Sequence, residues 1–183
     1  MKHINKLISC ALLVMCSPAC FAQMYLNEQG RGEALLFPFY SAQNGNTTTV
    51  SISNTTSDAK AVSISIHEAK NGMQVLDFNA YLAPNDSFDF VIAPTTGGGA
   101  EIRTVDDTCT VPRIPDRGPY RAQPFFSRLY SNDDDTSIGR TEVGSITIIE
   151  MGQIAPNYSL GSIFLDVVQG AQGISSSCDD LVG

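Results

Sequence analysis

The stretch "KAVSISIHE", residues 60 to 68, alternates strictly: Val62, Ile64 and Ile66 fall on one side of an extended chain, Ser63, Ser65 and His67 on the other. Successive side chains of a strand point to opposite faces, whereas a helix would scatter these residues around its circumference. A half-buried strand follows. The same period recurs in "TTTVSIS" with Val50 and Ile52, in "MQVLDFNAYL" with Leu76, Phe78, Ala80 and Leu82, and in "DSFDFVI" with Phe88, Phe90 and Ile92. "EALLFPFY" reads as a first strand that Pro38 confines to an edge or a bulge, and "AEIRTV", "RTEVGSITIIEMG" and "SIFLDVV" supply later strands. Helical periodicity is nearly missing.

Between these runs lie clusters of Asn, Asp, Gly and Pro. "NTTSDAK" reads as a short loop joining an antiparallel pair, "APND" as the next turn, and "TTGGGA" as a flexible connection that lacks the Gly-Lys-Ser/Thr ending of a phosphate-binding loop. Seven or eight such strands predict an all-β fold, an antiparallel β-sandwich with immunoglobulin-like topology; a jelly roll or a small barrel would leave similar traces. From Pro112 to Pro124, "PRIPDRGPYRAQP" carries four prolines, which argue against a regular helix or a central strand.

The first 22 residues hold Lys2 and Lys6, then an apolar run at residues 7 to 15, then "SPACFAQ". That order is a secretory signal peptide cleaved after Ala22, and the apolar run is too short to span a bilayer. The expected organisation is a leader over 1–22, a sandwich over 23–170 and a tail over 171–183. Cys20 offers a second reading, the lipidated first residue of a lipoprotein, although the leucine usual three positions before it is replaced. Export to the periplasm, the outer surface or the medium is the expectation, with no transmembrane segment after cleavage.

Losing the leader removes two of the 11 basic residues and none of the 19 acidic ones, leaving nine against 19, a net charge of −10. So acidic a body repels phosphate backbones and anionic lipid, which argues against nucleic-acid binding. Only Cys109 and Cys178 follow the leader, enough for one intramolecular bridge worth roughly 4 kcal/mol on the chain-entropy model, with two thiols or an intermolecular link as the alternatives. The Asn-x-Ser/Thr sequons at Asn46, Asn54, Asn85 and Asn157 read as turn chemistry.

"LLFPFY", "TTTVSISNTTSDAKAVSISIHEAKNGMQVLDFNAYLAP", "DDTCTVP" and "RTEVGSITIIEMG" together resemble the N-terminal part of a group of uncharacterised exported proteins of Gram-negative bacteria. The likeness covers most of residues 33 to 112 and residues 140 to 152. It implies export and no particular activity. Members of the group run on past a cysteine equivalent to Cys178, and have a Glu-Gly pair where this chain has Glu142, Val143 and Gly144; the shorter length implies a shortened gene or a stand-alone N-terminal module.

Candidate chemistry is sparse. On a straight strand Glu142 and Glu150 would lie roughly 26 Å apart, against about 5 to 9.5 Å for paired glycosidase carboxylates, so they are expected to be the solvated ends of a strand. His67 is the one histidine after the leader and falls on a polar strand face, which leaves nucleophilic catalysis a single possible base. Zinc lacks paired ligands. A calcium candidate exists at Asp133, Asp135 and Ser137, but Ile138 stands where an EF-hand needs glycine and Gly144 where it needs glutamate. No other cofactor is indicated. The proline-rich loop holds Arg113, Arg117 and Arg121 in an acidic chain, with Tyr120, Phe125 and Phe126 as anchors, and so reads as an interaction loop for a carboxylate ligand, an acidic partner or the Asp133 to Asp135 loop of another copy. The reading is a non-enzymatic binding or structural module, its partner an unidentified protein or envelope ligand. A carboxylate-dependent hydrolase and a subunit of a surface assembly built by strand addition are the alternatives.

Overall fold

The computed structural model describes residues 32–126 and 135–154. They form an antiparallel β-sandwich of ten strands: β1 (Ala34–Ser41), β2 (Thr48–Ser53), β3 (Ala59–Glu68), β4 (Gln74–Leu82), β5 (Ser87–Pro94), β6 (Ala100–Thr104), β7 (Cys109–Val111), β8 (Asp116–Arg117), β9 (Tyr120–Pro124) and β10 (Val143–Ile154). One sheet runs β1-β10-β3-β4-β7 and the other β2-β5-β6-β9-β8. Among the described residues both keep two open edges. A small barrel is therefore set aside.

Alternation decides what lies between the sheets. Val62, Ile64, Ile66, Phe78, Ala80, Ile146 and Ile148 from the first sheet meet Val50, Ile52, Phe88, Phe90, Ile92 and Ile102 from the second, all buried. Full burial of an aliphatic or aromatic side chain contributes about 1.5 to 3 kcal/mol, so this layer supplies most of the favourable energy. Phe78 and Phe88 meet edge to face across the two sheets at 6.2 Å between centroids.

Two sequence expectations give way. "NTTSDAK" does not close an antiparallel pair: β2 pairs with β5, while β3 pairs with β4 and β10, so this loop carries the chain from one sheet to the other. Asn54 makes the crossing. Its buried side-chain amide donates to the carbonyls of Asp58 (2.7 Å) and Ala83 (2.8 Å), and its oxygen accepts from Thr56 N (3.1 Å) and Thr56 Oγ1 (2.7 Å). Nor do the four prolines keep a strand out of the stretch they punctuate. β9 has β6 on one side and β8 on the other, with Arg121 opposite both Thr104 and Asp116. Pro112, Pro115 and Pro119 lie outside the strand and Pro124 is its last residue, so the ladder keeps its donors.

Pro38 behaves as expected. β1 is an edge strand, and its register against β10 shifts between Phe37 and Tyr40. The remaining edges differ in kind: β7 has three residues, β8 has two that are both charged, and β2 is "TTVSIS". β1 has eight residues and no charge, with Leu36 69% and Phe39 65% exposed. The expected strand "SIFLDVV", the tail and Cys178 lie outside the described residues.

Candidate functional site

Two clusters of polar side chains stand out, one at an end of the sandwich and one along the edge of the second sheet. The first begins with parity. Glu68 is in phase with Val62, Ile64 and Ile66, so the alternation that buries them also turns its carboxylate inward, and a buried charge must be paired. Arg140 pairs it at 3.0 Å, with side-chain exposures of 4% for Arg140 and 1% for Glu68. Backbone N–H groups of Lys70 (2.7 Å), Met73 (3.1 Å) and Asn71 (3.3 Å) also donate to it, which fixes the β3–β4 turn. Burial pushes this carboxyl up, but the guanidinium and the three N–H donors together bring it below its ordinary value.

Arg140 sits in a 3-10 turn, Ile138–Glu142, that lies across this end and touches both sheets. Toward the first sheet, Tyr40 Oη donates to the Thr141 carbonyl at 2.8 Å, and Ala42 N donates to the Glu142 carbonyl at 2.7 Å. Toward the second, Ala100 N donates to Thr141 Oγ1 and Gly99 N to Glu142 Oε1, each at 3.1 Å. Burial, then the charge of Glu68, raises the Tyr40 phenol well above its usual value, so it stays a donor. Glycine is required at two points. A Cβ on Gly99 (φ +79°) would lie 2.6 Å from Ile138 Cγ1, and one on Gly144 would lie 1.9 Å from the His67 carbonyl oxygen and 2.6 Å from Tyr40 Cε1.

Glu142 and Glu150 are thus not the solvated ends of a strand. Glu142 belongs to the 3-10 turn and holds Gly99, and Glu150 pairs with Lys60 on the neighbouring strand, both side chains being mostly covered. Each of these carboxylates has a separate structural partner. His67 is half-buried, its Nδ1 3.3 Å from the Gly72 carbonyl. Of the calcium candidates, Asp133 lies outside the described residues. Asp135 accepts from Ser137 N at 2.9 Å and faces Lys70 Nζ at 3.5 Å; Ser137 and then Lys70 lower its carboxyl to about 2. Among the described residues no group of three or more His, Cys, Asp or Glu side chains is placed to hold a metal.

The expected interaction loop divides into anchors and presented groups. Arg121 points inward and donates through both terminal nitrogens to the Thr108 carbonyl at 3.2 and 3.3 Å; burial lowers its basicity, partly offset by Asp107 and Asp106. Phe125 is core, edge to face with Tyr40 at 6.1 Å. Neither is a surface contact, which corrects the sequence reading: alternation along β9 sends Arg121 to the side opposite Tyr120. Ile114 is also buried, its N–H bonded to Thr110 Oγ1 at 3.1 Å, and Ala122 N bonds the Pro115 carbonyl at 2.9 Å.

Held this way, the segment presents Arg113, half exposed and 3.0 Å from Asp116, and Arg117, exposed beside the β8–β9 turn. Tyr120 lies under the Arg103 guanidinium, 5.6 Å from ring centroid to carbon. Phe126 is 60% exposed. Cys109 is buried in β7, and its expected partner is outside the described residues.

Sequence reasoning missed Tyr40, Glu68, Arg140 and Thr141. The one available signal was the phase of Glu68, a charge on the greasy side of its strand. No protein-family model, no curated protein and no solved structure matches the chain.

Proposed function

We propose that the chain is an exported, non-enzymatic binding module of the cell envelope or extracellular space, and that its contact surface is the ridge carrying Arg113, Arg117 and Tyr120. One observation supports this above the rest: Arg121, Ile114 and Phe125 are sunk into the body, so the exposed arginines ride on a segment whose conformation is already fixed. Groups held before contact lose little conformational entropy on contact. Two guanidiniums on an acidic chain favour a partner that offers carboxylates. A leader over residues 1 to 22 and a Cys109–Cys178 bridge complete the proposal.

The test is pull-down from the native envelope with the intact protein and with an Arg113→Ser/Arg117→Ser variant, leaving Arg121 in place. Loss of the same partners from the variant, at unchanged melting temperature, supports the reading; identical recovery ends it. Assembly by strand addition has its own support in β1, which is long, uncharged and, among the described residues, paired on one side only. It requires concentration-dependent oligomers that the arginine variant leaves intact.

A further inference from the structure

The polar end of the sandwich contains a part that can come away without the rest. We propose that residues 135 to 142 form an acid-released strap, closed across the two sheets while Glu68 is ionised and detached as a unit once it is protonated. The geometry carries this. Arg140 reaches Glu68 with one nitrogen and, with the other, the carbonyl of Asp135 at 2.7 Å, so one guanidinium ties the strap to β3 and to its own beginning. The strap is also tied by the Lys70–Asp135 ion pair at 3.5 Å and by four hydrogen bonds: Tyr40 to the Thr141 carbonyl, Ala42 to the Glu142 carbonyl, Ala100 to the Thr141 hydroxyl and Gly99 to the Glu142 carboxylate. The greasy layer beneath has a different composition. It is built from β1 to β6 and β10 together with Ala42, Ile114 and Phe125, and of the strap only Thr141 is buried.

The charged and titratable groups that meet Glu68 are Arg140 from the strap and Tyr40 from β1; Lys70 of the turn gives its backbone N–H and pairs through its side chain with Asp135 of the strap. Protonating Glu68 leaves Arg140 buried against a neutral partner, the arrangement that costs most when a covered ion pair is broken. Because the carboxyl lies below its ordinary value when folded, its contribution is complete above the unfolded value and disappears as pH falls through the folded one. Opening uncovers donors, namely the N–H groups of Ala42, Gly99 and Ala100 and the Tyr40 hydroxyl. A released strap would therefore turn a closed end into a surface that accepts carboxylates or carbonyls.

Amide hydrogen exchange on the full chain from about pH 7 to about pH 3, corrected for intrinsic rates, tests this. Expected is a loss of protection at Ala42, Gly99 and Ala100 of about tenfold per pH unit between the unfolded and the folded value of Glu68, levelling off below the folded one, with Ile64 and Ile66 unchanged. Glu68→Gln should show that loss already at neutral pH, leaving at lower pH only the acid step that Asp135 contributes. Asp135→Asn should leave the pH of release where it was. Strap and core amides opening together, a strap protected throughout the range, or a release that moves with Asp135→Asn each overturns the proposal. Should Glu68→Gln fail to fold, the pH series on the unmodified protein and on Asp135→Asn decides.

Discussion

Gly144→Ala is the sharpest perturbation available in this fold. The added Cβ would sit 1.9 Å from the His67 carbonyl oxygen and 2.9 Å from its carbon, both backbone atoms, and 2.6 Å from Tyr40 Cε1. Ordinary contact begins near 3.4 Å, so β10 must withdraw from β3 by about 1.5 Å at the position where Gly144 lies opposite Glu68. Overpacking of this kind costs about 1 to 3 kcal/mol, and the withdrawal endangers the Ala69-to-Val143 and Ala42-to-Glu142 backbone bonds, each worth roughly 1 kcal/mol net. The sum is about 4 kcal/mol. At about 3 °C per kcal/mol for a domain of this size, the melting temperature should fall by about 12 °C. Urea and thermal denaturation followed by far-ultraviolet dichroism measure the free energy and the melting temperature, with Gly72→Ala as control: Gly72 has φ +72° but open space around it, and should lose only about 1 kcal/mol. A Gly144→Ala loss no larger than the control's would mean that β10 and β3 do not approach so closely, and the account of this end of the sandwich would fail.

Asn54→Ala should destabilise by about 3 kcal/mol, because the Ala83 carbonyl loses its side-chain donor, the Asp58 carbonyl keeps only Thr56 Oγ1 and Thr56 N loses its acceptor; a change below about 1 kcal/mol in the same titration would contradict the crossing described above. Arg121→Met should cost about 2 kcal/mol while Arg117→Ser stays within about 0.5 kcal/mol, and equal effects on melting would erase the division between anchor and presented arginine. Asp135, held at about 2 when folded, stabilises the strap above its unfolded value and stops doing so as pH falls through about 2; in Asp135→Asn that acid step should vanish from the melting-temperature profile.

Strand identity was legible because period two is local: Val62, Ile64 and Ile66 announce a strand and its buried side without reference to anything distant. Sheet membership was not. A strand with one apolar face is satisfied equally by a hairpin neighbour or by stacking under another sheet, and only the tertiary bonds of Asn54 choose between them for β2 and β3. The arginine loop was half legible for a related reason. Spacing along the chain showed three cations in nine residues, but which of them turned inward depended on the phase of β9, hidden by the surrounding prolines. Phe125 was misplaced likewise, since aromatic residues next to a polar loop serve as surface anchors or as core with the same spelling. Glu68 shows where more could have been extracted, because continuing the alternation one step past Ile66 demands a buried cation somewhere, and Arg140 supplies it.

The long uncharged border at β1 governs how the protein must be handled. Most sheets discourage lateral growth with lysines or very short margins, and here Pro38 and the register shift beside it are the only such obstacles on that strand. Among the described residues that margin is open, so concentrated stocks are expected to self-associate along it in ribbons, and Leu36→Lys is the smallest edit expected to keep preparations dispersed without touching the interior.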